Sequence, residues 1–244
     1  MNPTIHAFAR PDGRKGIRNH LVVVYLVECA HHVAREMVFP FRERGVHLIG
    51  FTGCFPNAYS FRMLKQLCTH PNVGGALLVS LGCEGFNRTE LAAAIRATGR
   101  PVETVVIQNT GGTRTSIAEG HEWIKRTLQE MDATPRVAMG LDELIVGTIC
   151  GGSDATSSIT ANPAVGRAFD LLVEKNARTI FEETGELIGC EQIMVARAAR
   201  PELAAELIAS VEKAARHYTT LGHCEFSLVY KSFEPLGPGC LPRG

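Results

Sequence analysis

The run LVVVYLV, residues 21–27, is uncharged throughout, rich in β-branched residues and unbroken by any turn-former. A continuous apolar run of this length shows no period-two alternation. It reads as a strand buried on both faces, the kind found in parallel sheets with helices packed on either side. The residues C-terminal to it agree. CAHHVAREMVFPFRERG (29–45) has helical spacing and a glycine stop, and VHLIGF (46–51) is a second strand-like run. A helical segment around SFRMLKQLCTH (60–70) leads to a third strand, GGALLVSL (74–81), and then to helix-like RTELAAAIRATGR (88–100). PVETVVIQN (101–109) is a fourth strand, followed by an amphipathic helix over roughly 113–131. Strands alternating with helices across short connections predict an α/β fold with a parallel, doubly wound, Rossmann- or flavodoxin-like sheet.

TPRVAMGLDEL (134–144) looks like a seam. After it come strand-like LIVGTI (144–149), helical AVGRAFDLLVEKN (164–176), strand-like ARTIFEE (177–183) and a strong helix, PELAAELIASVEKAARHYTTL (201–221). The expected organisation is an α/β domain over residues 1–135 and a second, smaller α/β unit over 136–244. That second unit could equally extend the first sheet. The tail GPGCLPRG (237–244) is expected to be irregular.

Composition narrows the function. Of 244 residues, 45% are hydrophobic, enough for a substantial core. Lys plus Arg and Asp plus Glu number 25 each, so the zero formal charge argues against nucleic acid as partner. No run reaches the roughly 18 apolar residues that cross a bilayer, and MNPTIHAFARPDGRKG has no secretory h-region, so a cytoplasmic location is expected. Eight cysteines without a single CxxC exclude a zinc ribbon or thioredoxin motif. In a reducing compartment they are expected to be free thiols rather than a disulfide framework. Cys29 and Cys68, in helix-like surroundings, are expected to pack as small hydrophobes.

Three other cysteines come directly after strands. Cys54 lies in GFTGCFPN, Cys83 in VSLGCEGFN and Cys150 in GTICGGSD, each beside a glycine that lets backbone approach a ligand. Ligands of open α/β sheets bind beyond the carboxyl ends of the strands, so three strand-end thiols can converge. Glu84, Asn87, Asp154 and Asn162 are adjacent candidates. In ICGGSDATSSITANPAVG (149–166), Gly151 and Gly152 permit a tight turn, Ser153 or Asp154 can cap backbone N–H groups, and Asn162-Pro163 marks a further turn or helix start. Such a loop suits an anion or a metal-bound ligand; the alternative is an ordinary glycine-rich loop with local caps. RPDGRKGIRNH (10–20) gathers Arg10, Arg14, Lys15 and Arg18 and could bind a carboxylate, or could be a solvated, charge-mixed loop. His70 in THPNVGG could be a ligand or acid/base, or simply structural. QNTGGT (108–113) fits neither a dinucleotide fingerprint nor a Walker loop.

Together, RPDGRKGIRN, HPNVGGALLVSLGCE, CGGSD with ITANPAVG, and ETGELIGCEQ resemble the altronate/galactarate dehydratase family, in order, from about residue 8 to 200. The resemblance implies removal of water from a sugar acid or related hydroxy acid with a divalent metal, commonly iron. It places Cys54, Cys83 and Cys150 as iron ligands, either of a mononuclear ion or of an iron–sulfur cluster with one open position. Bound metal would act as a Lewis acid toward developing enediolate charge. Glu84, Asp154 and His70 would then be the acid/base candidates, and Arg14, Arg18, Ser153 and Asn162 the substrate-binding ones. The resemblance further implies a SAF-domain subunit as partner, a homo-oligomer, and a small hydroxy-acid substrate. The chain departs from the family in three ways. LIGFTGC lacks the histidine usual before Cys54, Ser158 replaces a glycine, and GHCEFSLVYKSFEPLGPGCLPRG does not match the family's longer continuation. The expected protein is therefore a shortened, large-subunit-like member. Two further readings stay open: a metal-free racemase using two facing thiols, and a non-catalytic carboxylate-binding paralogue.

Overall fold

In the computed structural model, which describes residues 4–149, 151, 152, 154 and 156–221, the LVVVYLV run builds the centre of the sheet. Strand β1 (Thr4–Ala9) and the two-residue β2 (Lys15–Gly16) precede β3 (His20–Tyr25). Next in the chain are α1 (Glu28–Val38), β4 (Val46–Gly50), α2 (Ala58–Cys68), β5 (Val73–Ser80), α3 (Arg88–Arg96), β6 (Val102–Val106), α4 (Thr113–Asp132) and β7 (Arg136–Gly140). Four strands form a parallel sheet in the order β4-β3-β5-β6. The expected α/β class is borne out.

The strand pleat sorts the core into two layers. Leu21 and Val23 of β3 and Leu77 and Val79 of β5 face α1 and α4, packing on Ala34, Met37, Ile124 and Leu128. Val22, Val24, Ala76 and Leu78 face the opposite way, onto α2 and α3 through Leu64, Cys68, Leu91 and Ile95. All eight residues of β5 are buried, which is why its sequence shows no alternation. Helices on both faces make the sheet doubly wound. A 3₁₀ turn (Phe39–Arg44) extends α1, and Gly45, at φ 74°, supplies the left-handed residue that ends it before β4.

The seam at TPRVAMGLDEL carries a strand. β7 pairs antiparallel with β1, from Thr4 opposite Gly140 to Phe8 opposite Arg136, and β2 closes a three-stranded antiparallel sheet on the other side of β1. The compact first unit runs to Leu141 and the second begins at Asp142.

The second unit has β8 (Ile145–Thr148), α5 (Ala161–Val173), β9 (Arg178–Phe181), α6 (Glu191–Ala196) and α7 (Pro201–Thr220). β8 and β9 are parallel partners in a two-stranded sheet joined through α5. The buried apolar residues here, among those described, are Ala177, Ile188 and Val211, with Tyr218 and Ala215 packed partly against the last two. The tail GPGCLPRG lies outside the described residues.

Candidate functional site at the carboxyl ends of the strands

The order β4-β3-β5-β6 places a topological switch point between β3 and β5, because the chain leaves β3 toward one edge and returns past it to the other. A doubly wound sheet opens its ligand crevice beyond the carboxyl ends at such a point. Cys83 and Glu84 come after β5 there, the first turn of α1 comes after β3, and the Cys54 loop comes after the neighbouring β4.

The two cysteine loops are built alike and joined. Asn57 ends the first, its Oδ1 accepting from Ser60 N at 2.8 Å, and Asn87 ends the second, its Oδ1 accepting from Glu90 N at 3.1 Å. Each is an N-cap, worth about 1 kcal/mol to its helix. Gly85 N donates to the Cys54 carbonyl at 2.8 Å, so the loop after β4 reaches across to the loop after β5. A Cβ at Gly85 would stand 2.7 Å from the exposed Phe55 ring, which packs over the junction of the two loops. Cys54 and Cys83 are both exposed free thiols.

Glu84 holds the second loop from within. Its Oε2 accepts from Gly82 N at 2.8 Å and its Oε1 from the Ser80 hydroxyl. Burial opposes its ionisation, but these bonds and the nearby Arg88 outweigh burial and keep the carboxyl below its ordinary range. Gly82, at φ 129°, would drive a side chain into Gln108 Oε1, which brings the end of β6 against the same loop.

The first turn of α1 completes the rim. Tyr25, the last residue of β3, lies over Gly50, where an added Cβ would stand 2.3 Å from its ring. The Tyr25 ring stacks on His31 at 4.7 Å between centroids. His31 Nδ1 faces Glu28 Oε1 at 2.9 Å, and Glu28 N donates to Thr52 O, two residues before Cys54. Cys29, expected to pack inside, is exposed in this turn, because the buried stripe of α1 runs through Ala30, Val33, Ala34 and Met37 instead. Cys68 is buried as expected, and burial pushes its thiol up to about 12.

Three other candidates of the first unit lie at the amino ends of the strands. His70 precedes β5, and an eight-residue strand, at about 3.3 Å per residue, carries it roughly 26 Å from Cys83. Its Nδ1 accepts from Asn72 N at 3.1 Å. Burial first, then Arg14 and Arg100, lower its pKa, so it is neutral at pH 7. Arg14 donates to Asp12 Oδ2 and to Thr69 O, both at 2.7 Å. Arg18 N donates to Asn72 Oδ1 at 3.2 Å, and its guanidinium reaches Ile17 O at 3.3 Å. Arg10, with Nε, Nη1 and Nη2 all bonded, ties Pro71 O, Asn19 and Arg18 O together. The structure thus brings RPDGRKGIRN and HPN together as a knot beneath the sheet, away from the thiols. A residue that precedes a strand enters at its amino end, a signal already present in the chain order.

In the second unit Asp154 caps the turn after it. Its Oδ1 accepts from Thr156 N at 2.7 Å, Thr156 Oγ1 at 2.6 Å and Ser157 N at 3.0 Å, and the Thr156 hydroxyl leads the causes that lower its pKa. Asn162, in the first turn of α5, lines a cavity of about 410 Å³ with Thr148, Gly151, Gly152, Ser157 and Glu183. Cys150 and Ser153 lie outside the described residues. Among the described residues no three His, Cys, Asp or Glu side chains gather closely enough to hold a metal.

Comparison with known proteins agrees with this two-unit division. Residues 7–132 match the family model described as D-galactarate dehydratase/altronate hydrolase, second domain, and residues 141–227 match D-galactarate/altronate dehydratase, C-terminal. Altronate dehydratase of Bacillus subtilis is 31% identical, over 83% of this chain and 43% of its own length. The (2R)-sulfolactate sulfo-lyase subunit beta of Chromohalobacter salexigens is 33% identical, over 82% of this chain and 51% of its own. Galactarate dehydratase (L-threo-forming) of Escherichia coli is 33% identical, over 62% of this chain and 30% of its own. The chain spans about half the length of these relatives or less.

Proposed function

The chain belongs to the altronate/galactarate dehydratase family, and from that premise we propose that it works as a hydro-lyase component acting on a small hydroxy acid. The reaction removes water from adjacent carbons of a sugar acid or similar carboxylate. The observation that carries the reading is the junction of the Cys54 and Cys83 loops, through Gly85 N and Cys54 O, over the switch point of the sheet.

Thiols suit iron, and two that are exposed on touching loops fit such an ion in donor chemistry. Cys54 and Cys83 would hold iron, mononuclear or in a cluster, and Cys150, the third cysteine that the family resemblance implies, lies outside the described residues. When bound, the metal would supply Lewis acidity toward substrate oxygen. Glu84 clamps the Cys83 loop, its carboxylate being committed to Ser80 and Gly82. In the second unit, Asn162 and the cavity it lines would hold a hydroxyl of a bound hydroxy acid. Arg14, Arg18 and His70 are assigned to the knot at the amino ends. A SAF-domain subunit and self-association complete the proposed enzyme, and the subunit designation of the sulfo-lyase relative supports a multi-chain arrangement. Among the described residues no helix is long and apolar enough to cross a membrane. The free state of the described cysteines fits a reducing, cytoplasmic location.

The test is metal and acid-labile sulfide analysis of anaerobically purified protein beside a Cys54→Ala, Cys83→Ala double variant, with turnover of altronate, galactarate and sulfolactate. Stoichiometric iron that the double variant loses, together with turnover, is expected. No iron after reconstitution overturns the metal assignment. Racemisation without water loss would turn the reading toward thiol-based proton transfer.

A further inference from the structure

We propose that His31, oriented by Glu28 and stacked on Tyr25, is the proton-transfer group of this site. The inference rests on the hydro-lyase reading and deepens it by naming the group that moves the proton. Dehydration next to a carboxylate needs a base of near-neutral pKa within reach of the reacting carbon. Glu84 does not meet that need, since both its oxygens are bonded and its carboxyl is held ionised. His70 sits at the far end of β5, and Asp154 is spent on capping a turn.

His31 meets it by position. It stands in the first turn of the helix that leaves β3, on one side of the switch point, with Cys83 on the other. The Glu28 N to Thr52 O bond ties that turn to the Cys54 loop. The side chain is 37% exposed, so a ligand in the crevice can touch it. A carboxylate can only accept, so the ring nitrogen that faces Glu28, Nδ1, donates to it, and Nε2 is the nitrogen free to act as base. A carboxylate fixing one ring nitrogen so that the other acts as base is the division of labour seen in catalytic triads. The Tyr25 ring, itself seated on Gly50, fixes the imidazole plane.

The step balances without redox. His31 Nε2 takes the proton from the carbon next to the carboxylate, and the C–H electron pair passes into the forming carbon–carbon double bond. The neighbouring C–O bond breaks, the imidazolium returns its proton to the departing oxygen, and water leaves. His31 ends in the protonation state in which it began. Glu28 is a positioning residue that stabilises the transient imidazolium.

The experiment uses the full chain, loaded with iron(II) without oxygen, and galactarate and altronate as probes. His31→Gln is expected to lower kcat about 10²- to 10³-fold while calorimetric affinity stays within threefold. Imidazole added to His31→Ala is expected to restore turnover, which no structural role would explain. Glu28→Gln is expected to lower kcat less than His31→Gln does while KM holds, and Glu28→Asp to recover part of the loss. The Glu28 carboxylate and the Tyr25 ring both face His31, and only Glu28 is altered. His32→Gln, on the exposed neighbouring position, is expected to behave as wild type. Turnover within threefold in His31→Gln overturns the assignment but leaves the hydro-lyase reading standing. So does loss in His31→Ala without imidazole rescue, or equal loss in His32→Gln. Absence of any turnover in the wild type overturns both.

Discussion

Asp12 Oδ2 accepts from Arg14 Nη2 at 2.7 Å and from Arg100 Nη1 at 3.0 Å, so one carboxylate joins a loop guanidinium to a buried one. The Arg100 side chain is 1% exposed and also donates from Nε to Val73 O at 2.9 Å, at the start of the central β5. Its Nη2 has no partner among the described residues, and Asp12 is the carboxylate that faces its charge. The hydrogen bond from Arg14, ahead of the opposing effect of burial, draws Asp12 down from 3.8 to about 2. A depressed carboxyl contributes stability that is complete above its unfolded value and disappears as pH falls through its folded one. The contribution is therefore present above 3.8 and lost toward 2. Asp12→Asn is expected to lower the melting temperature at pH 7, with the gap to wild type closing between those two values. Parallel melting curves of variant and wild type across that window would show that Asp12 is not the link.

The same knot decides what an element can tolerate. Gly16, in β2, packs where an added Cβ would stand 2.0 Å from the Pro71 carbonyl oxygen, and backbone there cannot give way without moving Arg10, which bonds the same oxygen. Gly16→Ala is expected to destabilise by roughly 2 kcal/mol or more, as overpacking of a rigid site does. Gly13, with a positive φ of 82° but open space around it, should cost less, about 1 kcal/mol from backbone strain. Urea titration of the two variants separates them, and equal midpoints would refute the steric account. This sheet was the part of the fold hardest to read in the sequence. β1 and β7 are short, lack the apolar runs of β3 and β5, and pair across some 130 residues, so nothing local announces them. The parallel strands were legible because burial on both faces leaves an unbroken aliphatic run. At the site, Cys54 and Cys83 were legible as strand-end residues beside glycine. His31 was not, because an i, i+3 pair on a helix looks like any solvated face until the switch point is known.

At the scale of the molecule, the two units differ in how well each could stand alone. Residues 4–141 carry both core layers, from Leu21 and Val23 on one face of the sheet to Val22 and Val24 on the other. The second unit has a two-stranded sheet, and such a sheet is marginal without further packing. Its described residues bury Ala177, Ile188 and Val211 while Val173, Ile180 and Phe181 are each more than half exposed. The relatives are about twice as long or more, so the protein in them has additional chain with which such surface can be covered. The difference predicts unequal fragments. Residues 1–141 alone are expected to melt in one cooperative transition and to keep the acid limb set by Asp12. Residues 142–244 alone are expected to bind a hydrophobic dye and to unfold without a sharp midpoint, since the few side chains buried among the described residues, at about 1.5–3 kcal/mol each, offset little of the ordering cost. A cooperative transition in the second fragment, with no dye binding, would mean that its apolar surface is already covered within residues 142–244. A first fragment that failed to melt cooperatively would mean that the doubly wound sheet draws on the second unit for its stability.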